Sequence, residues 1–308
     1  MKLSELVAYR NQLNELSAIA VLDRAQQDLA VIEHVAGSGS HSQVFSGHRQ
    51  AIQSAFEDYQ RTLNELRVNV QNQIDQEEKH WFQESYRLYS EEMVHESTEY
   101  ILDRRMILRP EAQEILQARL RGYTDWRVPG MIIRPGRETW IQDLVSLDPL
   151  YLLDQNLELL EPSVSGFQEA YQRRVRKCLI NEQSNDPVLR RVPDGQIGFC
   201  LAYNYFNFRP MEVVKRYLQE IFSKLRPGGL LIMTINDCDN EKAVILAEKY
   251  FCCYTPGQLI KDLATGLGYE HVFEYNDGGP STWLEFKKPG VLTSLRGGQA
   301  LARIVPKS

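Results

Sequence analysis

An open α/β sheet preceded by a long N-terminal α-helical coiled-coil region is the fold class the sequence predicts, and three observations predict it. The first hundred residues hold no Pro and only three Gly, and their apolar residues recur at helical spacing. From about residue 126, short β-rich runs alternate with helical ones, the pattern of a parallel sheet with crossover helices. Finally, a helical run closes on RPGG and feeds directly into the apolar run LLIMTIN (230–236).

From Leu3 to about Val35 the chain is rich in Leu, Ala, Gln and Glu, with apolar residues at Leu6, Leu13, Leu16 and Ala20, which predicts an amphipathic helix. The segment AGSGSHSQVFSG (36–47) clusters residues whose backbone freedom opposes a helix and predicts a break. A second helix is expected from about His48 to the high 90s. Its residues Ile52, Phe56, Tyr59, Leu63, Leu66 and Val70 alternate spacings of four and three, the seam of a left-handed coiled coil. The pattern slips at Ile74 and continues through Trp81 and Leu88.

Fifty helical residues span about 75 Å, more than a small domain needs, so the apolar stripe requires a partner. Self-association through residues 1–100 is the reading adopted, and a monomeric hairpin of the two helices is the alternative. His34, His41 and His48 recur at sevens but straddle the Gly/Ser break, and no metal site is expected. Residues 101–125, with a helix from Pro110 to Leu120 capped by Gly122, read as an adaptor. The α/β domain spans 126–290. The tail 291–308 carries Val291, Leu292, Leu295, Leu301, Ile304 and Val305 and is expected to pack on this domain or on a neighbour.

Within the domain, strands are expected at GMII (130–133), PLYLLD (149–154), RVRKCLI (174–180), QIGFCLAYNYF (196–206), LLIMTIN, HVFEY (271–275) and TWLEFKK (282–288). Helices are expected at 139–147, 165–174, from Pro210 to the RPGG, at 241–247 and at 256–266. The last strand is expected to be antiparallel.

Composition bounds the function. The chain has 308 residues, 43% hydrophobic, with no apolar run near the roughly 20 residues of a membrane span. A secretory leader is not expected from MKLSELVAYRNQLNEL, and the expected location is cytoplasmic, or a virion if the source is a phage. Five cysteines, all after residue 170 and without CxxC spacing, argue against a disulfide framework or zinc ribbon. Residues 1–100 hold 8 Lys+Arg against 16 Asp+Glu, which disfavours nucleic acid as a partner. Hydrolase, nucleotide-hydrolase and zinc-enzyme motifs are absent.

The stretch PDGQIGFCLAYNYFNFRPMEVVKRYLQEIFSKLRPGGLLIMTIND (193–237) resembles the fourth strand, following helix and fifth strand of class I S-adenosylmethionine-dependent methyltransferases, whose helix ends in a similar LkPGG. The resemblance covers about residues 126–290 and implies a Rossmann-like, methyltransferase-like sheet. It also implies cofactor-binding positions. Gly136 and Arg137 in IIRPGRETW fall where the family has its glycine loop, with only Gly136 matching. Asp154 falls where an acid holds the ribose, or else caps a helix. Glu182, with Asn181 or Asp186 beside it, falls near the adenine. Tyr203 and Asn204 after the fourth strand and Asp237 after the fifth fall at the catalytic edge, with Asp237 orienting a substrate amine or capping the next helix.

The functional reading is an oligomeric structural or assembly protein, such as a phage or virus virion component among other subunits, carrying a methyltransferase-like head on a coiled-coil stalk. Its alternative is an active S-adenosylmethionine-dependent methyltransferase oligomerised by its N-terminal helices, and a third reading is a nucleotide or sugar module. The cofactor is S-adenosylmethionine in the enzyme reading and none otherwise.

Overall fold

The computed structural model describes residues 2–18, 27, 30, 31, 34, 42–90, 109–135, 140–165, 167–249 and 252–294. The chain divides into two compact units, Met1–His80 and Trp81–Ser308. No helix among the described residues is long and apolar enough to cross a membrane.

In the first unit, α1 (Leu3–Ala18) and the first part of α2 (Ser42–Ser90) are the described elements. The second half of the first expected helix lies largely outside the described residues, as do 91–108. Helix α2 starts at Ser42 and runs through Gly47, inside the segment expected to break it. One interior Gly costs only about 1 kcal/mol, which a 49-residue helix absorbs. Leu3, Leu6, Val7 and Leu13 of α1 are buried, as are Leu63, Val70 and Ile74 of α2. Arg67 Nη2 donates to the Leu13 carbonyl at 3.0 Å. Helix α1 therefore lies on α2 within one chain, while Tyr59, Leu66 and Val68 stay exposed.

The second unit is built on seven strands. These are β1 (Gly130–Ile133), β2 (Leu150–Asp154), β3 (Val175–Leu179), β4 (Ile197–Ala202), β5 (Leu225–Asn236), β6 (Glu270–Tyr275) and β7 (Ser281–Lys287). Their order is β3-β2-β1-β4-β5-β7-β6. The first five are parallel, and β7 runs antiparallel to both β5 and β6. Strand order reverses between β1 and β4, which makes the carboxyl ends of those strands the switch point where open α/β sheets bind ligands.

Strand alternation feeds two cores. On β4, Ile197, Cys200 and Ala202 join one core and Phe199 and Leu201 the other. The first core is closed by α7 (Met211–Lys224), through Val214, Leu218 and Ile221, and by α9 (Gly257–Gly266), through Ile260 and Ala264. The second is closed by α3 (Pro110–Tyr123), α4 (Trp140–Asp143) and α5 (Leu157–Ser165). The remaining helices are α6 (Glu169–Gln172) and α8 (Glu241–Glu248). All five cysteines are buried, and none forms a disulfide.

Several boundaries differ from expectation. Helices α4 and α6 are single turns. Helix α3 passes through Gly122 to Tyr123 and is capped by Thr124 with extended backbone. The cause is packing: Leu120 and Tyr123 are buried and the Tyr123 phenol donates to Glu285 at 2.7 Å, which holds the last turn helical. Strand β5 begins at Leu225, so RPGG lies inside the strand. Gly228 has φ +73, but Gly229 is not among the positive-φ glycines. Gly229 is needed for close approach, since a Cβ there would meet the Arg226 carbonyl at 2.8 Å and the Ile197 carbonyl at 3.0 Å.

Candidate active site at the carboxyl edge

The carboxyl edge of the sheet is built from the residues that follow β1, β2, β3, β4 and β5. Asp154 ends β2 and is buried, with Oδ1 accepting the Asn156 amide at 3.0 Å. Burial pushes its carboxyl above the usual aspartate range, opposed by backbone amides and the nearby Arg134 guanidinium. Arg134, immediately after β1, donates its own amide to the Leu153 carbonyl at 2.7 Å, so the β1 and β2 ends are tied together. Its guanidinium is held below the usual arginine range by burial and by Arg209, with Asp154, Tyr205 and Glu182 pulling the other way. Arginine remains a cation even so.

Beyond β3, Glu182 sits at the centre of a buried polar cluster. Its Oε1 accepts from the phenols of Tyr205 and Tyr217, the latter at 2.7 Å, and from Arg209 Nε at 3.1 Å. Its Oε2 accepts from the Tyr89 phenol at 2.7 Å and Gln155 Nε2 at 2.8 Å. Burial alone would raise this carboxyl, but Arg209 and the three phenols outweigh it and hold it below the usual range. Five donors saturate the lone pairs of one carboxylate, so Glu182 is committed to protein. Arg209 stacks on the Tyr205 ring, with its Cζ 4.3 Å from the centroid, and its Nη2 is buried without a partner.

After β4, Tyr203 is buried with its ring 5.0 Å from Trp140 and 6.4 Å from Trp283. Asn204 follows with φ 48; its backbone amide donates to Thr234 Oγ1 at 2.7 Å. Both side-chain amide atoms of Asn204 are buried and unpartnered. After β5, Asp237 accepts from the amides of Asp239 at 3.1 Å and Gly257 at 3.0 Å, and from Thr282 Oγ1 at 2.8 Å. The next helix, α8, is capped by Asn240 and not by Asp237, whose partners lie in the turn after β5, at the start of α9 and on β7. Burial and Asp239 raise its carboxyl.

The fold thus brings Asp154, Glu182, Tyr203, Asn204 and Asp237 to one edge, while Gly136 and Arg137 lie outside the described residues. Sequence reasoning missed Arg134, Arg209, Tyr89 and Tyr217. Arg134 offered one signal, as a long cation directly after a strand, two residues before the position where the resemblance puts a glycine loop. A shallow apolar cavity of about 360 Å³ lies elsewhere, beside Gly228 and Lys287 at the opposite end of the sheet.

Five parallel strands in the order 3-2-1-4-5, extended by an antiparallel seventh between the fifth and sixth, decide the fold. The head has a class I methyltransferase-like fold. No protein-family model matches the sequence, and no curated protein matches it. Solved structures do match, at low identity. One is the N-methyltransferase NodS of Bradyrhizobium japonicum WM9 in complex with S-adenosyl-l-homocysteine, 11% identical, covering 67% of this chain and 98% of that one with a TM-score of 0.46. A second is the [4+2]-cyclase SpnF, 12% identical, covering 58% and 83% with a TM-score of 0.46. A third is an O-methyltransferase family 2 protein of Planctomyces limnophilus DSM 3776 in complex with apigenin, 12% identical, covering 52% and 49% with a TM-score of 0.41.

Proposed function

We propose that the head binds S-adenosylmethionine at the carboxyl edge of β1, β2 and β4 and acts as a methyltransferase. The observation that carries this reading is the buried Asp154 carboxylate at the end of β2, one strand from the switch point. Asp154 suits the vicinal hydroxyls of a ribose, and the Tyr203 and Trp140 rings suit a planar group beside it. Glu182 does not fit the cofactor, because its oxygens already serve Tyr89, Gln155, Tyr205, Tyr217 and Arg209. A bound cofactor supplies a methyl group on a positively charged sulfur, open to in-line displacement. This chain's contribution to such a step is positioning and exclusion of water rather than covalent chemistry. Asp237, held by three donors, positions the turn after β5.

Retention of radiolabelled S-adenosylmethionine by the full chain tests the reading, with Asp154→Ala as the control. Retention that falls about tenfold or more in the variant supports it, as expected for the loss of a charged hydrogen-bonding group. Equal retention by both proteins removes Asp154 from the site, and none by either removes the reading.

A second reading, an assembly protein with a structural head, is favoured by the Glu182 cluster, which fills the β3 side of the same edge with protein side chains. Self-association through residues 1–100 belongs to that reading and is supported by the exposed Tyr59, Leu66 and Val68 on α2. Light scattering that gives a monomer mass at micromolar concentration contradicts it.

A further inference from the structure

The cavity of about 360 Å³ lies at the amino end of the parallel strands, away from the carboxyl edge. One water takes about 30 Å³ of liquid, so the space admits whole side chains. Its walls include Tyr123 at the end of α3, Leu230 of β5, Val272 of β6, and Val291 and Leu292 beyond β7. Tyr123, Leu230 and Leu292 also belong to the second core, so the cavity is an open margin of that core. The β6 bulge between His271 and Phe273 leaves Val272 as an extra residue, 42% exposed, and Val291 is 65% exposed. The lining residue Lys287 is already paired with Glu270 at 3.2 Å, so it does not call for an anionic ligand. Apolar wall left in water costs about 25 cal/mol per Å², and such a surface suits an apolar partner.

The chain itself supplies that partner. After lining the cavity with Val291 and Leu292 it runs to Ser294, which is 3% exposed. Arg226, at the entry of β5, holds this exit: its Nη2 donates to Thr293 Oγ1 at 2.9 Å and to the Ser294 carbonyl at 3.3 Å. Residues 295–308, which lie outside the described residues, read LRGGQALARIVPKS. Gly297 and Gly298 permit the chain to reverse just past the exit. Leu301, Ile304 and Val305 follow at i, i+3 and i+4, the spacing that gathers apolar groups on one face of a helical turn. A segment on so short a tether acts at an effective concentration of about a millimolar, which favours its own cavity over a neighbour's in micromolar protein.

We propose that residues 295–308 fold back and seat Leu301 and Ile304 against Leu230, Val272 and Val291, closing the second core at the amino end of the sheet. The occupant is the chain's own segment, and the docking is independent of the cofactor reading.

Photocrosslinking in the full chain tests the docking, with p-benzoylphenylalanine in place of Leu301. Irradiation of micromolar protein is expected to join the tail to the segments that carry Leu230 or Val272 within one chain. A crosslink formed only between two chains gives the cavity to the tail of a second copy and overturns the proposal, as does a crosslink to other segments or none at all. Fluorescence of anilinonaphthalene sulfonate, which reports exposed apolar surface, is the independent readout. The double variant Leu301→Ser with Ile304→Ser is expected to raise it several-fold over wild type. Val272→Glu added to that pair is expected to return it to the wild-type level, whereas a misfolded pair stays bright. Fluorescence unchanged in the pair, or undiminished by Val272→Glu, overturns the docking.

Discussion

Tyr89, in the last turn of α2, donates its phenol to Glu182 Oε2 at 2.7 Å across 93 positions of sequence. The contact is one of several that dock this turn on the sheet edge. Ser85 Oγ accepts the Tyr254 amide at 2.9 Å, the Phe82 and Tyr254 rings meet edge to face at 5.2 Å, and Leu88 packs with Phe208, Leu246, Cys252 and Cys253. Tyr89→Phe removes one of five donors to a buried carboxylate and is expected to cost about 1–2 kcal/mol in urea unfolding. Glu182→Leu strands the Arg209 charge in the interior and is expected to cost about 3–5 kcal/mol. In the double variant Glu182→Leu with Arg209→Met, the loss is expected to be smaller than the sum of the two single losses.

The same cluster sets a pH dependence. Because the Glu182 carboxyl lies below its ordinary value in the fold, the unfolded chain binds that proton more tightly, and stability rises with pH. The contribution is complete above the ordinary glutamate range and is lost as pH falls through the folded value. Asp154 and Asp237, raised by burial, act with the opposite sign and lose their contribution as pH rises through their raised values. Glu182→Gln is therefore expected to be less stable than wild type at neutral pH, with a gap that narrows toward acid. A gap independent of pH in denaturant titrations contradicts this.

A second buried ion pair anchors α3. Arg119 Nε and Nη2 bind Glu285 Oε1 and Oε2, each at 2.8 Å, and the Trp283 indole N–H donates to Oε1 at 3.0 Å. Glu285→Gln leaves Arg119 buried against Phe273 without its counter-charge and is expected to lower stability by about 3–5 kcal/mol. Thermal unfolding with Arg61→Ala as reference checks it. Arg61 pairs with Asp58 at the surface, and its loss is expected to cost no more than about 1 kcal/mol.

Gly228→Ala places a Cβ 2.3 Å from the Leu292 amide nitrogen at φ +73. Strain and a backbone clash act together, so a loss of about 2 kcal/mol or more is expected. Gly195→Ala shares the positive φ but meets nothing within 4 Å, and it is expected to cost about 1 kcal/mol. Similar losses for the two variants in chemical denaturation contradict the clash.

The fold was legible because its signals are local. Alternating apolar runs placed the strands, and LLIMTIN placed the body of β5, although the strand already begins at Leu225, ahead of the RPGG expected to precede it. The antiparallel last strand was likewise anticipated, and β7 is antiparallel to β5. The Glu182 cluster was not legible, because Tyr89, Gln155, Tyr205, Arg209 and Tyr217 come from separate elements and no spacing relates them. Arg134 was not legible for a different reason: the glycine-loop resemblance falls on Gly136 and Arg137, two residues further on. Its left-handed backbone and buried, unpartnered Nε are properties of the folded turn alone.

The most direct test of the adenosyl reading is a crystal structure of the full chain grown with millimolar S-adenosylhomocysteine. The account predicts ribose hydroxyls against the Asp154 carboxylate and Glu182 unmoved among its five donors. Crystals that show the crevice without ligand, or the ribose away from Asp154, contradict it.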